Sequence, residues 1–192
     1  MKKKYAIIGN PIEHSLSPTL HNYWFKKHNL DCEYEMVKIE ANEIESVIDK
    51  IKSKKINGIN VTLPFKQKII PHLNKIVNCA KETNSVNTVY LDSENKVVGD
   101  NTDVFGFQAG YLKNISNKQN PNHSALVMGA GGVSPSIILA LIKSNISNIT
   151  VTNRTFEKAL FLKKKFSHIK VIKWDDLITK FNNFDIVVNA TN

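Results

Sequence analysis

The sequence predicts an α/β protein of two domains, each built on a mainly parallel sheet that helices cover on both faces. Short apolar runs typical of strands alternate with segments in which apolar residues recur at helical spacing, and this alternation is typical of parallel sheets. A polar, asparagine-rich stretch with a proline, residues 114–124, interrupts the alternation, which then starts again. We therefore expect a first domain over residues 1–113 and a second over residues 114–192.

The first half is predicted to contain five strands and four helices. Ile44, Val47, Ile48 and Ile51 recur at helical spacing, whereas apolar and polar residues alternate over 32–39 as in a strand. Two apolar runs separated by Ser-Glu-Asn are typical of a hairpin, which we expect as an antiparallel addition to the sheet. The predicted strands are 5–9, 32–39, 56–62, 85–92 and 96–101, and the predicted helices are 18–29, 42–53, a helix from about residue 64, and 104–113.

The second half repeats the pattern with four strands and three helices. It opens with a strand, a glycine-rich turn and a helix in direct succession, which together predict the start of a parallel sheet. The predicted strands are 125–129, 148–153, 170–172 and 184–191, and the predicted helical segments are 131–144, 155–166 and 174–181.

Composition and charge disfavour several classes of protein. Hydrophobic residues make up 42% of the 192 and charged residues 22%, as in ordinary globular proteins, and no apolar run approaches the ~20 residues that span a bilayer. The net charge of +9 comes from scattered lysines without interleaved aromatic residues, so a solvated basic surface is favoured over nucleic-acid binding. Cys32 and Cys79 form neither a disulfide framework nor a metal-ligand pattern, which favours a reducing cytoplasm and no metal.

The turn after strand 125–129 has the composition of a dinucleotide-binding loop. It comes close to the G-x-G-x-x-G/A pattern, with serine in the third position. That pattern gives a tight turn, a backbone open to a pyrophosphate, and helix amides that face the phosphates. We therefore expect a Rossmann-like domain that binds a dinucleotide rather than a merely structural turn. The candidate cofactor contacts are Gly129, Ala130, Gly131, Gly132 and Val133.

Arg154 is the only arginine among the 26 lysines and arginines of the chain. It follows the second strand of this half, where NAD-binding versions of the fold place an acid that bonds the ribose hydroxyls. This chain has Asn153, Arg154 and Thr155 there, and its first carboxylate is Glu157. A guanidinium group can bind a ribose 2′-phosphate through two hydrogen bonds, whereas an acidic side chain would repel that phosphate. We therefore predict NADP as the cofactor, held by Arg154 with help from Lys158, and favour this over a solvated surface arginine.

Polar segments in the first half follow predicted strands, where open α/β sheets place their ligands. Ser15 and Ser17 stand just before Pro18, so Ser17 suits a helix N-cap, and the two hydroxyls would equally suit a carboxylate-binding site. The sequence leaves both interpretations open, and we expect His14 and His21 to be structural. The other polar residues of these segments are Asn60, Thr62, Lys66, Asn87, Asn101 and Asp103.

As a set, these segments resemble shikimate dehydrogenases over essentially the whole chain. The matching motifs are Gly-Asn-Pro-Ile-x-His-Ser-x-Ser-Pro at 9–18, Asn-Val-Thr-x-Pro-x-Lys at 60–66, Val-Asn-Thr at 86–88, Gly-Asp-Asn-Thr-Asp-x-x-Gly at 99–106, the glycine turn at 129–132, Asn-Arg-Thr at 153–155 and Asn-Ala-Thr at 189–191. The resemblance implies NADPH-dependent reduction of 3-dehydroshikimate to shikimate, in the chorismate pathway of aromatic amino-acid biosynthesis.

The resemblance also implies roles for the matching residues. Lys66 and Asp103 would form the catalytic pair, with Lys66 moving the proton while NADPH delivers hydride to the C3 carbonyl. An ammonium group suits this task because it both stabilises and protonates an alkoxide. Ala190 and Thr191 would line the cofactor groove. The implied substrate-binding residues are Ser15, Ser17, Asn60, Thr62, Lys66, Asn87 and Asp103.

The chain departs from the family pattern at two places. Ser134 and Pro135 replace the alanine and the basic residue that usually follow the glycine turn, which would leave more of the phosphate contact to Arg154. The chain ends at Asn192 after four predicted strands, whereas a full dinucleotide domain has six. We therefore expect a C-terminally truncated or shortened member of the family, with an incomplete Rossmann-like domain.

Three other functions stay open at this point. The first is a quinate/shikimate dehydrogenase of broader specificity, which Ser17 disfavours because a bulkier threonine there would favour quinate. The second is an inactive module that binds NADP or shikimate, and the third is a basic nucleic-acid binder. We expect small-molecule ligands, no nucleic-acid or membrane partner, and a monomer or homodimer.

Overall fold

The structure, a computed structural model, describes residues 2–113 and 123–191, and the chain divides into two compact units. The units comprise Met1–Asn101 and Thr102–Asn192. This division falls earlier than the predicted boundary after residue 113, because the helix that follows Asn101 packs within the second unit. Residues 114–122, most of the predicted linker, lie outside the described residues. Over the described ranges, no helix has the length and apolar character needed to cross a membrane.

The first unit contains a six-stranded mixed sheet. Its strands are β1 (Lys3–Gly9), β2 (Cys32–Lys38), β3 (Gly58–Val61), β4 (Lys75–Ile76), β5 (Thr88–Leu91) and β6 (Val97–Asp100). They lie in the order β2-β1-β3-β5-β6-β4. Strands β2, β1 and β3 are parallel, as are β6 and β4, whereas β5 runs antiparallel to both β3 and β6. The hairpin predicted for this half is therefore confirmed, and it joins a parallel sheet.

Helices cover this sheet to very different degrees. The helices of the unit are α1 (Ser17–Lys27), α2 (Ile44–Lys52) and α3 (Cys79–Thr83). The predicted apolar face of α2 is buried, with Ile48 and Ile51 at 1% and 0% exposure, and it packs against β5 and β6. All residues of α1 are at least partly exposed, and α1 contacts mainly β2. The core of the unit therefore lies between α2 and the sheet.

The second unit contains a four-stranded parallel sheet. Its strands are β7 (Ser124–Met128), β8 (Asn148–Thr152), β9 (Lys170–Val171) and β10 (Ile186–Asn189), in the order β10-β7-β8-β9. Its helices are α4 (Asp103–Phe107), which continues as a π-helical turn over Gln108–Leu112, then α5 (Ser134–Lys143), α6 (Phe156–Lys165) and α7 (Leu177–Lys180). Residues 134–141 of α5 are all buried, and α5 packs against α4 and β7. The four strands predicted for this half are confirmed.

The helix predicted from about residue 64 is wrong. Residues 63–69 form successive turns, and a 3₁₀ helix follows over Ile70–His72. Pro64 could begin a helix, but Pro71 has no backbone N–H to bond the carbonyl four residues before it, so an α-helix from residue 64 would be interrupted there. Several hydrogen bonds here instead span three residues, such as Phe65 N to Thr62 O at 2.9 Å. The short elements β4 and α3 were not predicted at all.

We expect Ile48→Ala to lower the free energy of unfolding by about 2–5 kcal/mol, because it removes buried methyl groups from the core of the first unit. Ile178→Ala is the matched control, since Ile178 is 91% exposed and its truncation should change stability by less than about 0.5 kcal/mol. Urea unfolding followed by circular dichroism measures both. Equal stability of the two variants would contradict the packing described for α2.

Candidate functional site

Polar residues collect at one edge of the first sheet because of the direction of β5. Strands β1, β3 and β6 end at this edge, and the antiparallel β5 begins there, with Asn60 opposite Thr88 and Thr88 opposite Asp100. The edge, which we call the polar edge, comprises Ser15, Ser17, Asn60, Thr62, Asn87, Thr88 and Asn101. All but Thr88 were named as candidates from sequence.

Asn60 is held by hydrogen bonds from three directions. Its Nδ2 donates to Asn87 O and to Thr88 Oγ1, both at 3.2 Å. Its Oδ1 accepts from the Tyr34 hydroxyl at 2.6 Å. Thr88 Oγ1 in turn donates to Asn87 Oδ1 at 2.9 Å. The two predicted asparagines are therefore joined in one network, which Tyr34 and Thr88 complete.

Asn87 also ties the backbone of three strands together at this edge. Its carbonyl accepts from Val61 N at 2.8 Å, and its N–H donates to Asp100 O at 3.0 Å. The side chain is only 9% exposed. Asn101 is 4% exposed and donates through Nδ2 to Ser85 O at 2.8 Å. Asn101 therefore supports the loop before β5.

Thr62 lies against a glycine at the end of β1. A Cβ at Gly9 would stand 2.5 Å from Thr62 Cγ2 and 2.8 Å from Ile12 Cδ1. Thr62 N donates to Ile8 O at 2.9 Å, so the ends of β1 and β3 are held close together. Gly9 is therefore needed for Thr62 to occupy its half-buried position.

Ser15 and Ser17 are both half-buried at the start of α1. The predicted N-cap role of Ser17 is wrong, because α1 begins at Ser17 itself and Leu16 occupies the cap position. Ser15 Oγ instead accepts from Ser17 N at 3.3 Å. The first turn of α1, which the structure describes in full, holds no acidic residue, so the positive end of the helix dipole is open to an anion.

Tyr34 contacts the polar edge through Asn60 and, like Thr88, was not named as a candidate from the sequence. It is 5% exposed, and burial raises the pKa of its phenol while a hydrogen bond from Ser17 lowers it by less. His21 stacks on its ring, with centroids 4.3 Å apart and planes at 7°. Burial lowers the pKa of His21, which favours the neutral imidazole. The available signal was an aromatic residue with a polar tip at an inward position of the alternating strand 32–39.

The two predicted catalytic residues belong to different units. Lys66 is half-buried in the turns that follow β3, and its carbonyl accepts from Val86 N at 2.8 Å. Asp103 is half-buried and is the first residue of α4, three positions after β6 ends. Both therefore follow strands of the polar edge along the chain. Their catalytic roles remain predictions.

The glycine turn of the second unit has the backbone that a dinucleotide loop needs. Gly129 has φ +114°, and a Cβ there would stand 2.5 Å from Ala190 O, so no side chain fits. A Cβ at Gly131 would meet no described atom within 4 Å, which leaves the turn open on that side. Ser134 is fully buried, and its Oγ donates to Gly129 O at 3.0 Å. Ser134 thus stabilises the turn through a buried hydrogen bond. Its position in the motif did not predict this role.

Asn153 connects the glycine turn to the segment that carries Arg154. Its Oδ1 accepts from Ala130 N at 3.1 Å, and its Nδ2 donates to Thr155 O at 2.8 Å. Asn153 therefore holds together the two segments that are predicted to contact the cofactor phosphates. Arg154 and Lys158 are exposed, as is Thr155. Gly132 and Val133 are half-buried in the turn.

Ala190 and Thr191 lie beside the glycine turn, as expected for residues that line the cofactor groove. Ala190 N donates to Met128 O at 2.7 Å, which continues the pairing of β10 with β7. Thr191 is exposed, and its Oγ1 donates to Asn189 Oδ1 at 2.7 Å. The turn, its open side and the exposed cation at 154 together fit a phosphorylated dinucleotide. Within 2–113 and 123–191, no cluster of three or more His, Cys, Asp or Glu side chains is placed to hold a metal ion.

Comparison with known proteins identifies the family. The profile of the shikimate dehydrogenase substrate binding domain matches residues 7–89, and that of shikimate / quinate 5-dehydrogenase matches residues 112–192. A shikimate dehydrogenase (NADP(+)) from Pelagibacter ubique is 47% identical over 192 residues, which is 100% of this chain and 70% of that protein. The chain belongs to the shikimate dehydrogenase family.

Solved structures of shikimate dehydrogenases have the same fold. The Aquifex aeolicus enzyme matches 100% of this chain and 69% of its own, with a TM-score of 0.87 and 36% identity. The Thermus thermophilus enzyme, solved in complex with NADP(H) and shikimate, matches 98% of this chain and 68% of its own, with a TM-score of 0.83 and 29% identity. The predicted fold class and family are confirmed, and the chain spans about 70% of the length of these proteins. The predicted residue roles are not tested by these matches.

We expect Gly129→Ala to weaken NADP⁺ binding by about 10-fold or more, because the added Cβ collides with Ala190 O and the backbone conformation is strained. Gly131→Ala is the control for stability, since a Cβ at residue 131 would meet no described atom. The melting temperature of this variant should match that of the unmodified chain. Titration of NADP⁺ by isothermal calorimetry measures the effect. Unchanged affinity in Gly129→Ala would contradict the close approach of β10 to the turn.

Proposed function

We propose that this chain catalyses the NADPH-dependent reduction of 3-dehydroshikimate to shikimate, and the reverse oxidation, in aromatic amino-acid biosynthesis. Its family membership supports the reaction. The observation that carries the proposal is the polar edge, where hydroxyl and amide side chains suited to a hydroxylated ligand are held in place by hydrogen bonds to one another. We also propose a cytoplasmic location, which the two free cysteines Cys32 and Cys79 support.

The start of α1 is suited to bind the substrate carboxylate. Ser15 and Ser17 stand two residues apart, and the Ser15 oxygen already accepts from Ser17 N, so its hydroxyl hydrogen is free to point outward. Helix amides favour an anion at the same place. We assign the carboxylate to these two hydroxyls, because no acidic side chain in the first turn of α1, all of it described, would compete for them.

The ring hydroxyls are assigned to the amide and hydroxyl groups of β3 and β5. Asn60, Thr62 and Asn87 lie at adjacent strand ends and are partly or fully buried. Buried polar groups discriminate strongly, because a ligand that lacks the matching hydroxyl leaves them unpaired. Asp103 is proposed as a further partner of the ring hydroxyls.

Lys66 is proposed as the proton donor. Reduction of the C3 carbonyl places negative charge on its oxygen, and an ammonium group both stabilises that charge and donates the proton. In the reverse reaction, neutral Lys66 takes the hydroxyl proton back. Asp103 is proposed as the acidic member of the catalytic pair.

The second unit is proposed to hold the cofactor. NADPH, when bound, supplies the hydride for the C3 carbon. Residues 129–133 would hold the pyrophosphate through backbone N–H groups and the start of α5, and Ala190 and Thr191 would lie along the groove. Arg154, with Lys158 nearby on α6, would hold the 2′-phosphate. The chain thereby contributes orientation and selectivity for NADP.

We expect Lys66→Ala to lower kcat by about 100-fold or more, because it removes the group that donates and accepts the proton. The affinity for NADP⁺ should be unchanged. Lys68→Ala is the matched control, since Lys68 lies two residues further along the same turns and is exposed. The assay follows NADPH absorbance with shikimate and NADP⁺, and parallel reactions with quinate test the broader specificity. A near-normal kcat in Lys66→Ala, or no turnover of shikimate by the unmodified chain, would refute the proposal.

We expect Arg154→Ala to raise KM for NADP⁺ by about 10-fold to 100-fold, because a charge-assisted bond to the 2′-phosphate is lost. KM for NAD⁺, which lacks that phosphate, should change little. Arg154→Lys should recover only part of the loss, since an ammonium cannot form the bidentate contact. Lys163→Ala, which removes an exposed charge later on α6, is the control. Equal effects on both cofactors would exclude the phosphate contact.

A further inference from the structure

Tyr34 is a buried ionisable residue that none of the roles above uses. It lies on β2, two strands away from β3, yet its hydroxyl reaches Asn60 Oδ1 at 2.6 Å. This hydroxyl therefore contacts a residue that is assigned to the ring hydroxyls.

The position of Tyr34 is fixed from both its backbone and its ring. Asn22 on α1 donates through Nδ2 to Tyr34 O at 2.8 Å and accepts from Tyr34 N at 2.9 Å. His21, also on α1, stacks on the ring at 4.3 Å. Helix α1 buries none of its residues, and its contacts with Tyr34 help to hold the helix against β2.

The hydrogen bonds of Asn60 define which way its amide faces. Asn87 O is only an acceptor, so the amide nitrogen must be the atom that faces it. The second N–H of Nδ2 goes to Thr88 Oγ1. Both donors are therefore used within the protein, and Oδ1 has one lone pair left after it accepts from Tyr34. Asn60 can thus offer a ligand only an acceptor.

We propose that Tyr34 is a positioning residue, which through its hydroxyl holds Asn60 so that Oδ1 accepts from a ring hydroxyl. This inference rests on the proposed function, since it assumes that a hydroxylated carboxylate binds at the polar edge. The ligand group that Asn60 selects is a hydroxyl that donates.

The chemistry of a buried phenol favours this role over simple packing. A phenylalanine would fill the same space between His21 and the sheet without a polar atom to desolvate, and a buried hydroxyl is stabilised only where it is hydrogen-bonded. Burial raises the pKa of Tyr34, so the hydroxyl keeps its proton over the whole working range of pH. It therefore remains a donor toward Asn60.

The direct test is Tyr34→Phe, which removes the hydroxyl and keeps the ring. We expect the affinity for shikimate, measured by isothermal calorimetry, to fall by about 3-fold to 10-fold, as for one lost hydrogen bond. The affinity for NADP⁺ should not change. Tyr5→Phe is the matched control, because Tyr5 is the register partner of Tyr34 on β1 and stands away from the polar network. It should bind shikimate as the unmodified chain does.

A double-mutant cycle with Asn60→Ala separates positioning from general packing. If Tyr34 acts through Asn60, Tyr34→Phe should cost little further affinity for shikimate once Asn60 is truncated. Additive losses, unchanged affinity in Tyr34→Phe, loss of NADP⁺ binding, or a variant that fails to fold would each overturn the proposal. Absence of shikimate binding by the unmodified chain would instead refute the proposed function itself.

Discussion

The polar edge exists because β5 runs against its two neighbours. In an all-parallel sheet the start of β5 would lie at the opposite edge from the ends of β3 and β6. The reversal brings Asn87 between them, where its backbone bonds both Val61 and Asp100. Asn60 can then bond Asn87 O and Thr88 Oγ1 directly. Side chains far apart in sequence are thus fixed by the backbone of the sheet, and the site needs little further support from loops.

The second unit also presents a ligand-facing segment at the end of its strands, but different contacts shape it. Its sheet is entirely parallel, and its ligand-facing turn is shaped by the close approach of two strands, with Gly129 against Ala190. A helix that is buried from residue 134 to residue 141 holds that turn in place. Both sites use side-chain hydrogen bonds, but the second adds a close backbone approach, of Gly129 to Ala190, that leaves no room for a side chain. This difference matches the ligands proposed for them, a small polyhydroxylated ring and a long phosphorylated chain.

Local patterns in the sequence predicted most of the fold. The strands of both units except β4 and the buried face of α2 follow from apolar periodicity, and the glycine turn follows from its composition. The turns after Pro64 were not predicted, because the buried residues Phe65 and Ile69 have helical spacing although Pro71 interrupts an α-helix there. Periodicity reports which side chains are buried and carries no information on the backbone donors between them.

The candidate site was predictable only in part, for a related reason. Residues that face a ligand, such as Asn60 and Arg154, stand in recognisable motifs. Residues that hold them, such as Tyr34 and Ser134, act through contacts that depend on how strands lie side by side, and their neighbours in sequence give no sign of this. The division by contacts falls after Asn101 for the same cause, since α4 packs on α5.

The two bonds of the Asn153 amide have a consequence for how coenzyme choice can evolve. An aspartate, the usual acid of NAD-dependent relatives of the fold, could still accept from Ala130 N but would turn a carboxylate oxygen toward Thr155 O, where the amide now donates. Exchanging this residue alone would therefore replace the hydrogen bond to Thr155 O with repulsion between two oxygens. A change of coenzyme preference at this position would remove a contact that now holds the loop beside Arg154.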